Sequence, residues 1–171
     1  MNITGGIHNG RKIQAPDKKI VRPTLSKVRM SVFNVLYSIL GGFEGKSFLD
    51  MYGGSGIMGL EALSRGFSEV TVYEKNKTVA QIIKSNYEIL GYKPDIRIGD
   101  SLRLAQTENR KYDVVFIDPP YMSGIYEDSL RYAPIDNIIV LEHTEDIDLS
   151  GYNILKQKKY GDKYLSFVNN M

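Results

Sequence analysis

The sequence predicts an α/β fold built on a mostly parallel, seven-stranded sheet, and three observations carry that prediction. From residue 47 onward, short apolar runs alternate with helix-spaced segments, the pattern of strands joined by crossover helices. The first of those runs passes through a glycine-rich turn straight into a helix, where open parallel sheets hold ligands. The last two runs are joined only through Gly161-Asp162, so the sheet closes with an antiparallel hairpin at one edge.

The elements follow in order. Residues 3–13 read as a β-hairpin, because Asn9-Gly10 suits a two-residue turn with positive φ. Pro16 and Pro23 punctuate an extended stretch. Ser26 is placed to cap a helix over 27–40, where Val28, Val32, Val35 and Ile39 share a face, and Gly41-Gly42 ends it. Strand 47–51 leads to helix 57–65, and strand 70–74 to helix 77–90, closed by Gly91. Strand 95–98 precedes a short helix at 101–107. Strand 113–117 precedes a helix near 124–131, and strand 137–142 follows. Strands 152–158 and 163–168 make the terminal hairpin. At 171 residues with no linker, one domain over 1–171 is expected, with 1–24 as a basic appended arm.

Composition narrows the chemistry. The chain has no cysteine and two histidines, His8 and His143, so disulfides, thiolate metal sites and a cysteine nucleophile are excluded and no metal is expected. No apolar run reaches membrane-spanning length and no signal peptide opens the chain, so a cytoplasmic protein without membrane attachment is the expectation. The net charge of +2 is unevenly distributed. Residues 1–30 hold seven basic groups against Asp17 alone, a balance of +6; the remainder holds 15 basic and 19 acidic groups, a balance of −4. A basic arm on an acidic body suits a polyanion, although a solvated surface segment has the same composition.

Two motifs carry chemistry. The first is Asp50-Met51-Tyr52-Gly53-Gly54-Ser55-Gly56, at the junction of a strand and a helix. Glycines there allow a ligand to approach the backbone and a helix N-terminus. Glu74 at the next strand tip can bridge ribose hydroxyls, and Asp100 at the third can receive an adenine amine. Gly54-Ser55-Gly56-Ile57-Met58-Gly59 also matches a dinucleotide fingerprint, with Glu74 20 residues beyond Gly54. Asp50, however, would repel a pyrophosphate while pairing well with an ammonium. S-adenosylmethionine carries an ammonium, a sulfonium and a ribose but no phosphate, and it suits these acids better than a nicotinamide dinucleotide.

The second motif is Asp118-Pro119-Pro120-Tyr121, directly after the apolar run Val114-Val115-Phe116-Ile117. Prolines cannot donate ladder hydrogen bonds, so they end the strand and stiffen its tip. A carboxylate, free carbonyls and a flat ring can hold a planar group bearing an amine. A strand end with a proline turn is the plain alternative.

With both motifs in view, the chain resembles Rossmann-like, S-adenosylmethionine-dependent amino methyltransferases. It is most similar to the bacterial family that methylates the exocyclic N2 of a guanine in 16S ribosomal RNA. The shared residues include Gly5-Gly6, Gly10-Arg11-Lys12, Arg22-Pro23-Thr24, Val28-Arg29, Phe33-Asn34, Gly53 to Gly59, Leu60 to Gly66, Glu74, Asn86 and Asp118 to Tyr121. Asn2 and Asn9 stand where the family often has arginine, and the segment after Tyr121 is short. The resemblance implies that Asp118, Pro119, Pro120 and Tyr121 perform catalysis. It implies that Asp50, Tyr52, Gly53, Gly54, Ser55, Gly56, Glu74, Asp100 and Ser101 hold S-adenosylmethionine. Arg11, Lys12, Arg22, Thr24, Lys27 and Arg29 would contact RNA, in 16S ribosomal RNA or the small ribosomal subunit. An adenine-N6 methyltransferase and a noncatalytic RNA-binding module remain compatible with the same motifs. Phe33 is expected in the core, and His143 as a hydrogen-bonded strand-end residue.

Overall fold

The computed structural model describes residues 1–171 apart from positions 23, 121, 123, 145 and 146. Its elements are α1 (Ser26–Leu40), β1 (Ser47–Asp50), α2 (Ile57–Ser64), β2 (Glu69–Glu74), α3 (Lys77–Ile89) and β3 (Asp95–Ile98). They continue as α4 (Ser101–Thr107), β4 (Tyr112–Ile117), α5 (Ile125–Tyr132), β5 (Ile135–His143), β6 (Tyr152–Tyr160) and β7 (Lys163–Asn170). The seven strands form one sheet in the order β3-β2-β1-β4-β5-β7-β6. The first five are parallel, and β7 runs antiparallel to both β5 and β6. The predicted architecture is therefore the observed one.

The chain starts in the middle of the sheet at β1, moves outward to β3, then returns to the other side of β1 with β4. That reversal opens a crevice beyond the carboxyl ends of β1 and β4. Strand alternation divides the core in two. On one face, Phe48, Val114, Phe116, Ile138 and Val140 pack with α1, α2 and α3. On the other, Leu49, Val115, Ile117, Ile139 and Leu141 pack with α4 and α5. Phe33 lies in the first layer, stacked on Phe48 at 5.9 Å between ring centroids. Burial on both faces explains why β1 and β4 read as continuous apolar runs.

Local chemistry sets several boundaries. Asn76 caps α3 by accepting hydrogen bonds from the Thr78 and Val79 amides. Gly41 ends α1 in the left-handed region. Ser26 is not the cap of α1: Leu25 holds that position without a side-chain bond, and Ser26 is the first helical residue. Gly161 and Asp162 turn the terminal hairpin, with Tyr160 paired to Lys163 across it.

The N-terminal hairpin forms as a short antiparallel pairing. Asn2 bridges Lys12, the Ile3 amide donates to the Arg11 carbonyl at 3.0 Å and the Ile13 amide to the Met1 carbonyl at 2.9 Å, and residues 7–10 turn. The body adds to its order. Ile3 and Ile13 are buried in the α1–α3 layer. Asn86 of α3 accepts from the Gln14 amide at 2.9 Å and donates to its carbonyl at 2.8 Å, standing in for a strand partner. The arm is thus built into the core, not appended to it.

Candidate active site

Beyond the strand tips lies a cavity of about 810 Å³, a size typical of small-molecule and cofactor sites. Its acidic lining follows from strand alternation. Asp50 continues the face of Phe48, and Asp118 continues the face of Phe116. Glu142 continues the face of Val140. Because Ile117 pairs with Leu141 in parallel register, Asp118 comes beside Glu142, with backbones about 4.8 Å apart. Three carboxylates from adjacent strands thus converge on one wall.

Their electrostatics reflect that crowding. Asp50 is almost fully buried, and neither carboxylate oxygen has a hydrogen-bond partner among the described residues. Burial pushes its proton affinity well above the usual carboxylate range, and Asp118 and Glu74 push it further. The Tyr52 N–H lowers it, without reaching hydrogen-bond geometry. Asp118 is raised to about 7, first by burial and then by Glu142, while Lys163 and Arg22 oppose the shift. Glu142 is buried, and its Oε1 accepts from Lys163 Nζ.

The glycine turn is shaped by its neighbours. Glu74 Oε2 accepts from the Gly54 amide at 3.0 Å and Oε1 from the Asn76 amide at 2.8 Å. Glu74 therefore ties the turn to the start of α3 from a wall of the cavity. Gly56 has φ 75°, and a Cβ there would also meet Ile83 at 2.8 Å. At Gly59 a Cβ would lie 2.1 Å from the Tyr87 hydroxyl. Close helix packing thus requires these two glycines, whatever the turn binds. Asp100 caps α4 through the Arg103 amide at 3.0 Å, and Ser101 opens that helix. Both line the cavity. Tyr52 bonds Ser129 Oγ at 2.7 Å, joining the turn to α5.

The structure brings Asp50, Tyr52, Gly53, Gly54, Ser55, Glu74, Asp100, Ser101, Asp118, Pro119 and Pro120 to this one cavity. Tyr121 lies outside the described residues, as does Pro23. Gly56 sits just behind the wall, as N-cap of α2. The predicted RNA contacts divide. Arg22, Thr24 and Lys27 line the cavity, whereas Arg11 and Lys12 are exposed on the arm outside it. Arg29 requires a correction. It is 2 % exposed, pairs with Glu61 at 3.2 Å and donates to the Thr24 and Asn2 carbonyls. No phosphate can reach it; it locks the arm to α1 and α2.

Two residues escaped the sequence reading, Glu142 and Lys163. Glu142 closes the predicted strand 137–142, and its pairing with Asp118 depends on a register that one sequence does not specify. His143, on the opposite face, is buried and bonds Ser166 Oγ at 2.9 Å, as expected. Among the described residues, no group of three or more His, Asp or Glu side chains is arranged to hold a metal ion. No helix among them is long and apolar enough to cross a membrane.

A doubly wound sheet with an acid-lined glycine turn and an Asp-Pro-Pro strand tip defines a Rossmann-like methyltransferase. The comparisons with known proteins agree. The family described as Conserved hypothetical protein 95 matches residues 1–169, and the chain belongs to that family. Ribosomal RNA small subunit methyltransferase D of Haemophilus influenzae is 32% identical over 175 residues, covering 94% of this chain and 89% of that protein. Among solved structures, a hypothetical protein of Thermus thermophilus superposes with a TM-score of 0.83 at 25% identity, covering 99% of each chain. Trm1 of Pyrococcus horikoshii, solved with S-adenosyl-L-methionine, shares the fold. Its TM-score is 0.71 at 16% identity, covering 91% of this chain and 58% of that one.

Proposed function

We propose that this protein methylates the exocyclic N2 amine of a guanine in 16S ribosomal RNA, using S-adenosylmethionine. The observation that carries the proposal is the pairing of two sites in one cavity: the unpartnered Asp50 carboxylate at the glycine turn and Asp118 at the Asp-Pro-Pro strand tip. The donor set fits the cofactor. A buried carboxylate without a donor needs a cation, and the amino group of the methionine moiety supplies one. Glu74 and Asp100 offer acceptors for ribose hydroxyls and the adenine amine. When bound, S-adenosylmethionine supplies a methyl group already activated on a sulfonium.

The chain then has to position a weak nucleophile and remove a proton. An aromatic amine is weak because its lone pair is delocalised into the ring. Asp118 and the Pro119 carbonyl accept its two N–H bonds and turn the lone pair toward the methyl group. After transfer, one N–H proton passes to Asp118, whose raised proton affinity suits that role. Pro119 and Pro120 fix the geometry, since small misplacements cost about 100-fold in rate. Such a site needs the base extruded from its stack. Arg22 and Lys27, which line the cavity, would hold the flanking phosphates. The name of the Haemophilus relative supports small-subunit ribosomal RNA as substrate and therefore the cytoplasm as the site of action.

The test is to incubate purified protein with tritiated S-adenosylmethionine and small subunits or 16S ribosomal RNA from a strain lacking the gene, then digest to nucleosides. N2-methylguanosine is expected. N6-methyladenosine, or no transfer despite cofactor binding, would reject the proposal.

A further inference from the structure

The cavity contains one buried acidic group that the mechanism above leaves unused; Asp162, also unused, is exposed at the hairpin turn. Glu142 is 4 % exposed, and its Oε1 is engaged by Lys163. Its Oε2 is buried with no hydrogen-bond partner among the described residues. Anchoring the β7 strand start needs only the first oxygen. An acceptor left open in a buried wall is costly unless something fills it, and this one borders the place where the amine would bind.

We infer that Glu142 reads the Watson–Crick edge of the target base by accepting the guanine N1–H, and so sets guanine against adenine. The inference rests on the function proposed above and deepens it. The geometry comes from the sheet. Asp118 and Glu142 are neighbours in register on β4 and β5, on the same face, at the same cavity wall. Guanine presents N1–H and N2–H side by side, two donors for two adjacent carboxylates. An ionised carboxylate is acceptor-only. Adenine would bring its N1 lone pair against Glu142 while offering its N6 amine to Asp118, so the second carboxylate rejects it. Lys163 and Arg22 supply the positive charge around this pair. Lys163 also fixes the Glu142 rotamer through Oε1, leaving Oε2 for the base.

The test separates N1–H from the amine. 2-Aminopurine keeps the N2 amine but has a bare N1 acceptor. After the methylated position is mapped, small subunits are reconstituted with 16S ribosomal RNA carrying guanine or 2-aminopurine there, and methyl transfer is timed with wild type and Glu142→Gln. Wild type should favour guanine by at least about 100-fold, because a site built around a donor rejects the analogue lacking it. In Glu142→Gln the carboxamide can still accept from Lys163 through its oxygen and donate to N1 of 2-aminopurine through its nitrogen. The preference should therefore fall by at least about tenfold or invert. Equal loss on both bases, at an unchanged melting temperature, would overturn the inference and leave Glu142 as a strand anchor. Should Glu142→Gln not fold, wild type alone still tests it: equal rates on guanine and 2-aminopurine overturn the inference. If wild type makes no N2-methylguanosine, the underlying function fails and this reading with it.

Discussion

Arg29 offers the sharpest test of how this fold is assembled, because its two possible roles predict opposite results. A phosphate contact would affect RNA binding and leave stability alone. The structure instead buries Arg29 among Glu61, the Thr24 and Asn2 carbonyls and Ser26. Glu61 is fully buried too, and also accepts from the Thr4 amide and hydroxyl and from Arg65. Arg29→Met removes the cation and strands part of that carboxylate's compensation. Breaking a buried pair from one side costs about 3–5 kcal/mol. A domain of this size loses about 2–4 °C in melting temperature per kcal/mol, so the expected fall is roughly 6–20 °C. Arg29→Lys keeps the charge but not the planar fork, and should fall in between. Thermal unfolding by circular dichroism reads the shift. Exchange of the amides of residues 1–14 with deuterated water should speed up in parallel, since the Asn2 carbonyl loses its anchor and Glu61, which holds Thr4, loses a partner. A melting temperature within a degree of wild type, together with a shallower salt dependence of RNA binding, would refute the argument and return Arg29 to the phosphate-binding set.

Other expectations concern the acids, the arm and the cavity cations. Asp118→Asn should cut methyl transfer by at least about 100-fold while calorimetry still detects S-adenosylmethionine binding; retained turnover would remove Asp118 from the chemistry. Wild-type activity should rise with pH through about 7, where Asp118 loses its proton. The folded state binds that proton more tightly than the unfolded chain, so the stability it contributes is lost as pH rises from about 4 to about 7. Asp118→Asn should weaken that trend in melting temperature measured across pH, leaving the part due to the raised proton affinity of Asp50. Asp50→Asn should stabilise the unliganded protein near neutral pH, because an unpartnered buried carboxylate disappears, and should weaken cofactor affinity; a destabilised variant with unchanged affinity contradicts both halves. Arg22→Ala and Lys27→Ala should each make the salt dependence of RNA binding shallower by roughly 0.7–0.9 in log–log slope, with melting temperatures unchanged; an unaltered slope places the RNA elsewhere.

Most of the architecture is legible in the amino-acid sequence, because hydrophobic period and turn chemistry are local properties. Strand 95–98 and helix 101–107 appear with the predicted bounds, and the Gly161-Asp162 turn forms where expected. The Asp50-to-Gly56 and Asp118-to-Pro120 motifs were legible for the same reason: each is one short segment whose residue types carry its chemistry. Tertiary structure decided what depends on partners distant in sequence. Asn9-Gly10 encodes the turn of a short hairpin, closed by Ile3–Arg11 and Ile13–Met1 backbone bonds, but only Glu61 and Asn86, on two different helices, dock that hairpin on the body. Arg29 looks like one more cation in a basic run; only the helix phase and the buried Glu61 carboxylate turn it inward. Glu142 stands beside Asp118 because β4 and β5 pair in one register and not its neighbour. A shift of one residue would have turned its side chain to the opposite face and left the cavity without its third carboxylate.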